Sequence, residues 1–213
     1  MGWFLSNLRY VAWTALAVGA LFFIWYTLGV RGISFGEGVF WEAGLRWLHV
    51  LSGIMWIGLL YYFNFVQTPN APKIPEEHRG PAIGKVITPA ALFWFRWAAM
   101  STLIFGLLLA WNQNYLIQAL TLGAADDPSF SASKHIFIGI GMWLAIIMWF
   151  NVWFIIWPNQ QKALNIGGKF ADLAADAKTK AGRIAGLTSR VNTVLSIPML
   201  FSMVSGSHLY HIS

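Results

Sequence analysis

Five long, nearly uncharged apolar stretches leave this chain little choice of fold. They run over Leu8–Val30, Gly44–Val66, Ala90–Trp111, His135–Trp157 and Val191–His208. Each is close to the ~20 apolar residues that a helix needs to cross a bilayer. Hydrocarbon offers no partner to a bare backbone amide, so each segment must satisfy its own hydrogen bonds as a helix. Only 10% of the 213 residues are charged and 57% are hydrophobic, whereas soluble domains carry about 25% charged residues. The sequence therefore predicts an all-α integral membrane protein, a single membrane domain over residues 1–213 built as a bundle of five transmembrane helices. The first apolar run exceeds the roughly 7–15 residues of a signal-peptide core and reads as a retained anchor helix.

The loops assign sides. Arg9, the Gln67–Pro89 connection and the Pro158–Arg190 connection carry ten of the fourteen Lys and Arg residues. The opposite loops hold only Arg31 and Lys134, with Arg46 just inside a helix. The basic side faces the cytoplasm by the positive-inside rule. This predicts a cytoplasmic N-terminus, a periplasmic C-terminus and a multi-pass protein of the bacterial inner (cytoplasmic) membrane. The net charge of +6 thus reflects topology, and no nucleic acid partner is expected. The four prolines Pro69, Pro72, Pro75 and Pro81 predict an extended, irregular second loop. The composition of Phe170–Lys180 predicts a short cytoplasmic or interfacial helix.

Cysteine is absent, which excludes disulfides, thiolate metal sites, iron–sulfur clusters and covalent CxxCH haem attachment. A metal here must rest on His, Met, Tyr or carboxylate. Three histidines stand out: His49, His135 and His208 each lie in or at the edge of an apolar segment. The topology puts all three near the outer face, with His49 ~7 Å below the end of its helix. Histidine within a bilayer is expensive and marks a functional site by default. Three imidazoles delivered to one level by three helices suit a b-type haem with two of the three as axial ligands. Zinc or copper would want carboxylates, which are scarce. His211 lies in the outer tail, and His78 lies on the cytoplasmic side, out of reach.

Arg46 precedes His49 by three residues, on the same helical face. It suits a haem propionate, or a side chain snorkelling to the interface. Ser52, Gly53 and Gly58 offer a small surface for a macrocycle or a neighbouring helix. Arg96, in Phe93-Trp-Phe-Arg-Trp, suits cation–π packing, and Asn151 suits an interhelical hydrogen bond. Asn192 and Thr193, ahead of Ser196 and Pro198, suggest a kinked last helix. The outer acids Glu37, Glu42, Asp126 and Asp127 suit docking of a basic protein, or simply a solvated loop.

Four stretches resemble the urate-oxidase N-terminal domain family, the membrane domain of bacterial membrane-bound urate hydroxylases. They are Trp47-Leu-His-Val-Leu-Ser-Gly-Ile-Met-Trp-Ile-Gly-Leu-Leu-Tyr-Tyr-Phe-Asn-Phe, Phe93-Trp-Phe-Arg-Trp, Asn151-Val-Trp-Phe-Ile-Ile-Trp-Pro-Asn-Gln-Gln-Lys and Ser189-Arg-Val-Asn-Thr-Val-Leu-Ser-Ile-Pro-Met-Leu-Phe. The His49 helix also resembles, over a shorter run, the haem-binding helix of integral-membrane protoporphyrinogen oxidases. The first resemblance implies an oxidoreductase-associated module that passes electrons to a cytochrome c. Members of that family carry more membrane helices and a C-terminal cytochrome c domain; these 213 residues hold no CxxCH motif.

Together these features predict a membrane b-type cytochrome-like electron-transfer subunit of a larger redox complex, its haem near the periplasmic face. Its partners would be other membrane-complex subunits, a cytochrome c and the lipid bilayer. A urate-hydroxylase-like membrane oxidoreductase and a non-catalytic structural subunit are the competing readings. A transporter would want ionisable residues near the midplane, where there are almost none. Single cysteines introduced into this cysteine-free chain test the topology. Ser129→Cys should react with an impermeant maleimide from the periplasm and Thr179→Cys should not, and the reverse pattern overturns the assignment of sides.

Overall fold

The computed structural model describes residues 5–126 and 133–208, with the side chains of 133–134 and 206–208 left aside. The described residues are mostly helical, without a strand, and five helices are long and apolar enough to cross a membrane. They are α1 (Leu8–Val30), α2 (Gly38–Lys73), α3 (Glu76–Asn112), α5 (Ser133–Phe150, running on through Trp157–Leu164) and α6 (Ala175–His208). A short α4 (Leu116–Leu120) lies in the connection between α3 and α5.

The helices are longer than the apolar pattern predicts. At 36 and 37 residues, α2 and α3 each reach about 55 Å, well past a hydrocarbon core of about 30 Å. The excess of α3 lies at the basic end, and that of α2 is shared between its two ends. The Gln67–Pro89 connection is accordingly helical rather than extended, and only Ile74 and Pro75 separate α2 from α3. The cause lies in how the prolines are placed. A proline lacks its N–H and crowds the carbonyl four residues back. Here the chain widens into a π turn just before the proline and then continues. The π turns Tyr62–Gln67, Gly80–Ile87 and Asn151–Ile156 end two residues before Pro69, Pro89 and Pro158 respectively. The separate helix expected over Phe170–Lys180 is not formed either. Helix starts at Ala175 and runs unbroken to His208, with Pro198 inside it, so the helix-forming residues extend α6 downward.

The bundle is two helix pairs: α2 lies along α3, and α6 lies along α5, with α4 against α5. The core between the pairs contains Trp56, Leu60, Phe63, Phe95, Met148 and Val152. α1 stands at the edge, almost wholly exposed. Its link to α2 is aromatic: the Phe23 ring stacks on Trp47 at 5.9 Å and packs against Phe40 at 5.2 Å.

Lipid tails are as apolar as leucine, so helices in a membrane are held by close packing and interhelical hydrogen bonds. One face of α6 supplies these. Ser189, Asn192, Ser196, Ser202 and Ser205 recur every three to six residues along it, and all but the partly exposed Ser189 are buried. Asn64 Nδ2 on α2 donates to Ser189 Oγ at 2.8 Å. Asn151 Nδ2 on α5 donates to Asn192 Oδ1 at 2.8 Å, while Asn192 Nδ2 donates to the Met148 carbonyl at 2.9 Å. Ser196 gives its proton to the Thr193 carbonyl, so the Tyr61 hydroxyl is the donor in the 2.9 Å bond to Ser196 Oγ. The expected role of Asn151 is therefore the observed one. Asn192 locks α6 to α5. Each such bond contributes about 0.6 kcal/mol, up to about 1.7.

Close approach fixes the half away from the basic end. A Cβ on Gly139 of α5 would collide with the Ala119 carbonyl of α4 and with Leu122. Gly139→Ala should destabilise the detergent-solubilised protein by about 1–3 kcal/mol, the range for overpacking. Gly58→Ala meets nothing within 4 Å and should be neutral or stabilising, since Gly in a helix costs about 1 kcal/mol relative to Ala. Thermal unfolding followed by tryptophan fluorescence compares the two, and equal effects would contradict the α4–α5 packing.

Candidate functional site

His49 lies on α2 against α3. Its Nδ1 is 2.9 Å from the Thr102 carbonyl oxygen. A carbonyl only accepts, so Nδ1 carries the proton, and the neutral ring keeps the lone pair on Nε2. Two neighbours make this seat. The Thr102 hydroxyl turns back to the Ala98 carbonyl at 2.7 Å. One turn on, Gly106 leaves a notch that the imidazole fills: a Cβ there would sit 2.8 Å from His49 Cε1 and 3.0 Å from Nδ1. Ser52, read as part of a small surface, spends its hydroxyl on the Leu48 carbonyl at 2.8 Å. Gly53 faces Thr102, where a Cβ would make an ordinary contact, 3.8 Å from Thr102 Cγ2.

His135 opens the span of α5, and it too has an oxygen on Nδ1. The partner is a carboxylate oxygen of Asp126, nine residues back in the connecting segment. Its ring lies parallel to Tyr115, with centroids 6.1 Å apart. Burial raises the pKa of the Tyr115 phenol; Arg46 pulls it down and Glu42 pushes it up. The α2 residues ahead of His49 and the residue stacked on His135 are thus within electrostatic reach of each other.

Arg46 already has an anionic neighbour. Its Nη2 contacts Glu42 Oε1 at 2.6 Å, a half-exposed pair one helical turn apart. Such pairs in water contribute about 0.3–0.5 kcal/mol. The outer acids are likewise occupied: Glu37 accepts the Ser34 amide at 2.7 Å, which lowers its pKa, and Asp126 is taken by His135. Asp127 lies outside the described residues. The backbone of His208 closes α6, but its side chain, like all of His211, lies outside them as well. His78 sits at the basic end beside Glu77, at 3.4 Å and exposed. Among the described residues no three His, Cys, Asp or Glu side chains group as a metal site. At the basic end Arg96 meets the expectation set for it. Its guanidinium lies 3.7 Å from the centroid of Trp157 and 5.8 Å from those of Trp153 and Phe93.

Sequence reasoning thus named His49 and His135 and missed what surrounds them: Thr102, Gly106 and Tyr115, with Glu42 and Asp126 noted only as loop acids. The Glu42–Arg46 spacing was a usable signal; nothing in the sequence marked Gly106 as the notch for a ring fifty-seven positions earlier. A histidine with an oxygen acceptor on Nδ1 is the form that offers Nε2 to a metal. Gly106→Ala should force the ring off the Thr102 carbonyl. Side-chain 15N spectra of protein labelled at histidine should then lose the Nδ1–H signal of His49, and an unchanged signal would refute the seat.

No curated protein and no solved structure matches the chain. A family model does, over residues 121–212, described as urate oxidase N-terminal. The matched span takes in α5 and α6, including His135, Asn151–Lys162 and Ser189–Phe201; the Trp47–Phe65 and Phe93–Trp97 stretches lie outside it. Over residues 121–212, the outer connection and the last two long helices, this chain matches the urate oxidase N-terminal family that its motifs resemble.

Proposed function

We propose that this chain is the membrane component of a urate-hydroxylase-related oxidoreductase and carries electrons at its outer, periplasmic face. His49 would hold a b-type haem through Nε2, with His135 or His208 as the second ligand. The observation that supports this is the shared state of His49 and His135. Each has Nδ1 engaged by an oxygen, Thr102 for His49 and Asp126 for His135, which fixes the ring and raises the basicity of the free nitrogen. A bis-histidine haem is coordinatively saturated and supplies one-electron transfer rather than oxygen chemistry. Around it this chain's own residues orient and insulate: Gly106 and Thr102 seat one ring, Tyr115 and Asp126 the other, and the Arg46–Glu42 pair sets the charge at the rim.

Electrons would be delivered and removed by other proteins, because these residues carry neither a CxxCH motif nor a nucleotide-binding motif. Other subunits of a membrane complex and a cytochrome c are the expected partners. Glu37, Glu42 and Asp126 are already engaged within the chain, so steering by these acids is weaker than their number suggests. The family match favours a second reading, a urate-hydroxylase-like oxidoreductase in which His49 alone binds iron and the other axial position stays open to substrate.

Absorption spectra test both. The purified protein should show a Soret band and a reduced-state α-band. His49→Ala should abolish them, and His135→Ala and His208→Ala should separate the second ligand from a bystander. A colourless preparation, or three variants with the wild-type spectrum, would refute the haem and leave a structural subunit.

A further inference from the structure

At the opposite, basic end a second site is built into the bundle. A cavity of about 80 Å³ lies where α2, α3, α5 and α6 meet. Three of the four helices reach it at their π turns: Phe63, Asn64 and Gln67 belong to the turn before Pro69, Thr88 directly follows the turn before Pro89, and Ile156 closes the turn before Pro158. Such turns are rare and concentrate at functional sites. Three on one cavity are unlike a packing defect, which would be apolar and dry.

The lining has a sign. Arg190 is its one charged residue, at the exposed rim, and no carboxylate lines it. Thr88 Oγ1 accepts from Gln67 Nε2 at 2.8 Å and Ser189 Oγ accepts from Asn64 Nδ2 at 2.8 Å. Each hydroxyl is thereby left with its own proton to give. With Gln160 and Arg190 these make a donor-rich cup, and the basic loops around it raise the local anion concentration. The lining also holds one acceptor, the buried Gln67 Oε1, which has no hydrogen-bond partner among the described residues and suits a water or a proton carried by the bound group. Size narrows the choice further. At about 30 Å³ per water in the liquid, the cavity takes two or three waters or one small anion, and is far below the 300–1,000 Å³ typical of sites for larger ligands.

We infer that this cavity is a binding site for a small oxyanion, a carboxylate or phosphate group, gripped by Arg190, Ser189, Thr88 and Gln160. The inference is independent of the haem proposal, whose residues lie at the other end of the helices.

Gly186 on α6 makes the site testable without removing a polar group. It lines the cavity, and a Cβ added there meets nothing within 4 Å, so Gly186→Leu should fill the space. The full chain in phosphatidylcholine nanodiscs is titrated with sodium phosphate, or sodium acetate, against sodium chloride at matched ionic strength, and unfolding is followed by tryptophan fluorescence. The wild type should show a saturable rise of roughly 5 °C or more at a hundredfold excess over Kd. Arg190→Gln should shift the midpoint concentration at least tenfold, and Gly186→Leu should abolish the rise. Nanodiscs containing phosphatidylglycerol identify the source. If a lipid headgroup fills the cup, they stabilise the wild type but not Gly186→Leu, and added phosphate then does nothing. If the occupant is a free anion, phosphate still acts. Absence of any saturable rise in both lipids, or an equal rise in the wild type and both variants, overturns the site.

Discussion

Hydrocarbon accepts no hydrogen bonds, and most of this structure follows from how the chain meets that condition while carrying proline in its helices. An N–H lost to proline in water is replaced by solvent; in a bilayer the helix must reorganise itself. Before Pro69, Pro89 and Pro158 it does so by widening. The widening lets α2 and α3 run on beyond the apolar region, and it turns Asn64, Gln67 and Ile156 to the centre of the bundle at one end. The same response to a covalent defect therefore sets both helix length and the position of a polar cavity.

The two ends of the molecule use polarity differently. At the basic end and along α6, amides and hydroxyls pair across helices in bonds each contributing under about 2 kcal/mol, so the bundle is held by several weak ties rather than one. At the other end the polar groups include imidazoles, and the His49–Thr102 bond is itself a tie between α2 and α3. Among the described residues the oxygen partners of His49 and His135 lie on Nδ1, the arrangement on which the proposed ligation rests.

Much of the fold was legible because its dominant signal, apolar length, is local. The five spans, the cation–π role of Arg96 and the interhelical bond of Asn151 all follow from residue type and depth. The Gln67–Pro89 connection was misread because prolines signal loops in water-exposed chains, and sequence alone does not reveal that π turns carry the helices up to Pro69 and Pro89. Phe170–Lys180 was misread for the opposite reason: its composition is helical, but the helix it feeds begins at Ala175 and belongs to the next span. At the candidate site the histidines were visible and their seats were not. A notch formed by a missing side chain on another helix leaves no periodic trace, and the pairing of Arg46 with Glu42 competed with a more interesting role for the same arginine.

The polar face of α6 also bears on how the protein is made. α6 has the lowest mean hydropathy of the five spans and α1 one of the higher values, and partition from the translocon into lipid follows that scale. α1 buries almost nothing against the rest and can leave for lipid alone as soon as it emerges. α6 carries Asn192 and Ser196, whose partners Asn151, Met148 and Tyr61 sit on helices made earlier. Its insertion is thus coupled to a bundle already waiting in the membrane, and synthesis from N- to C-terminus delivers the self-sufficient helix first and the dependent one last.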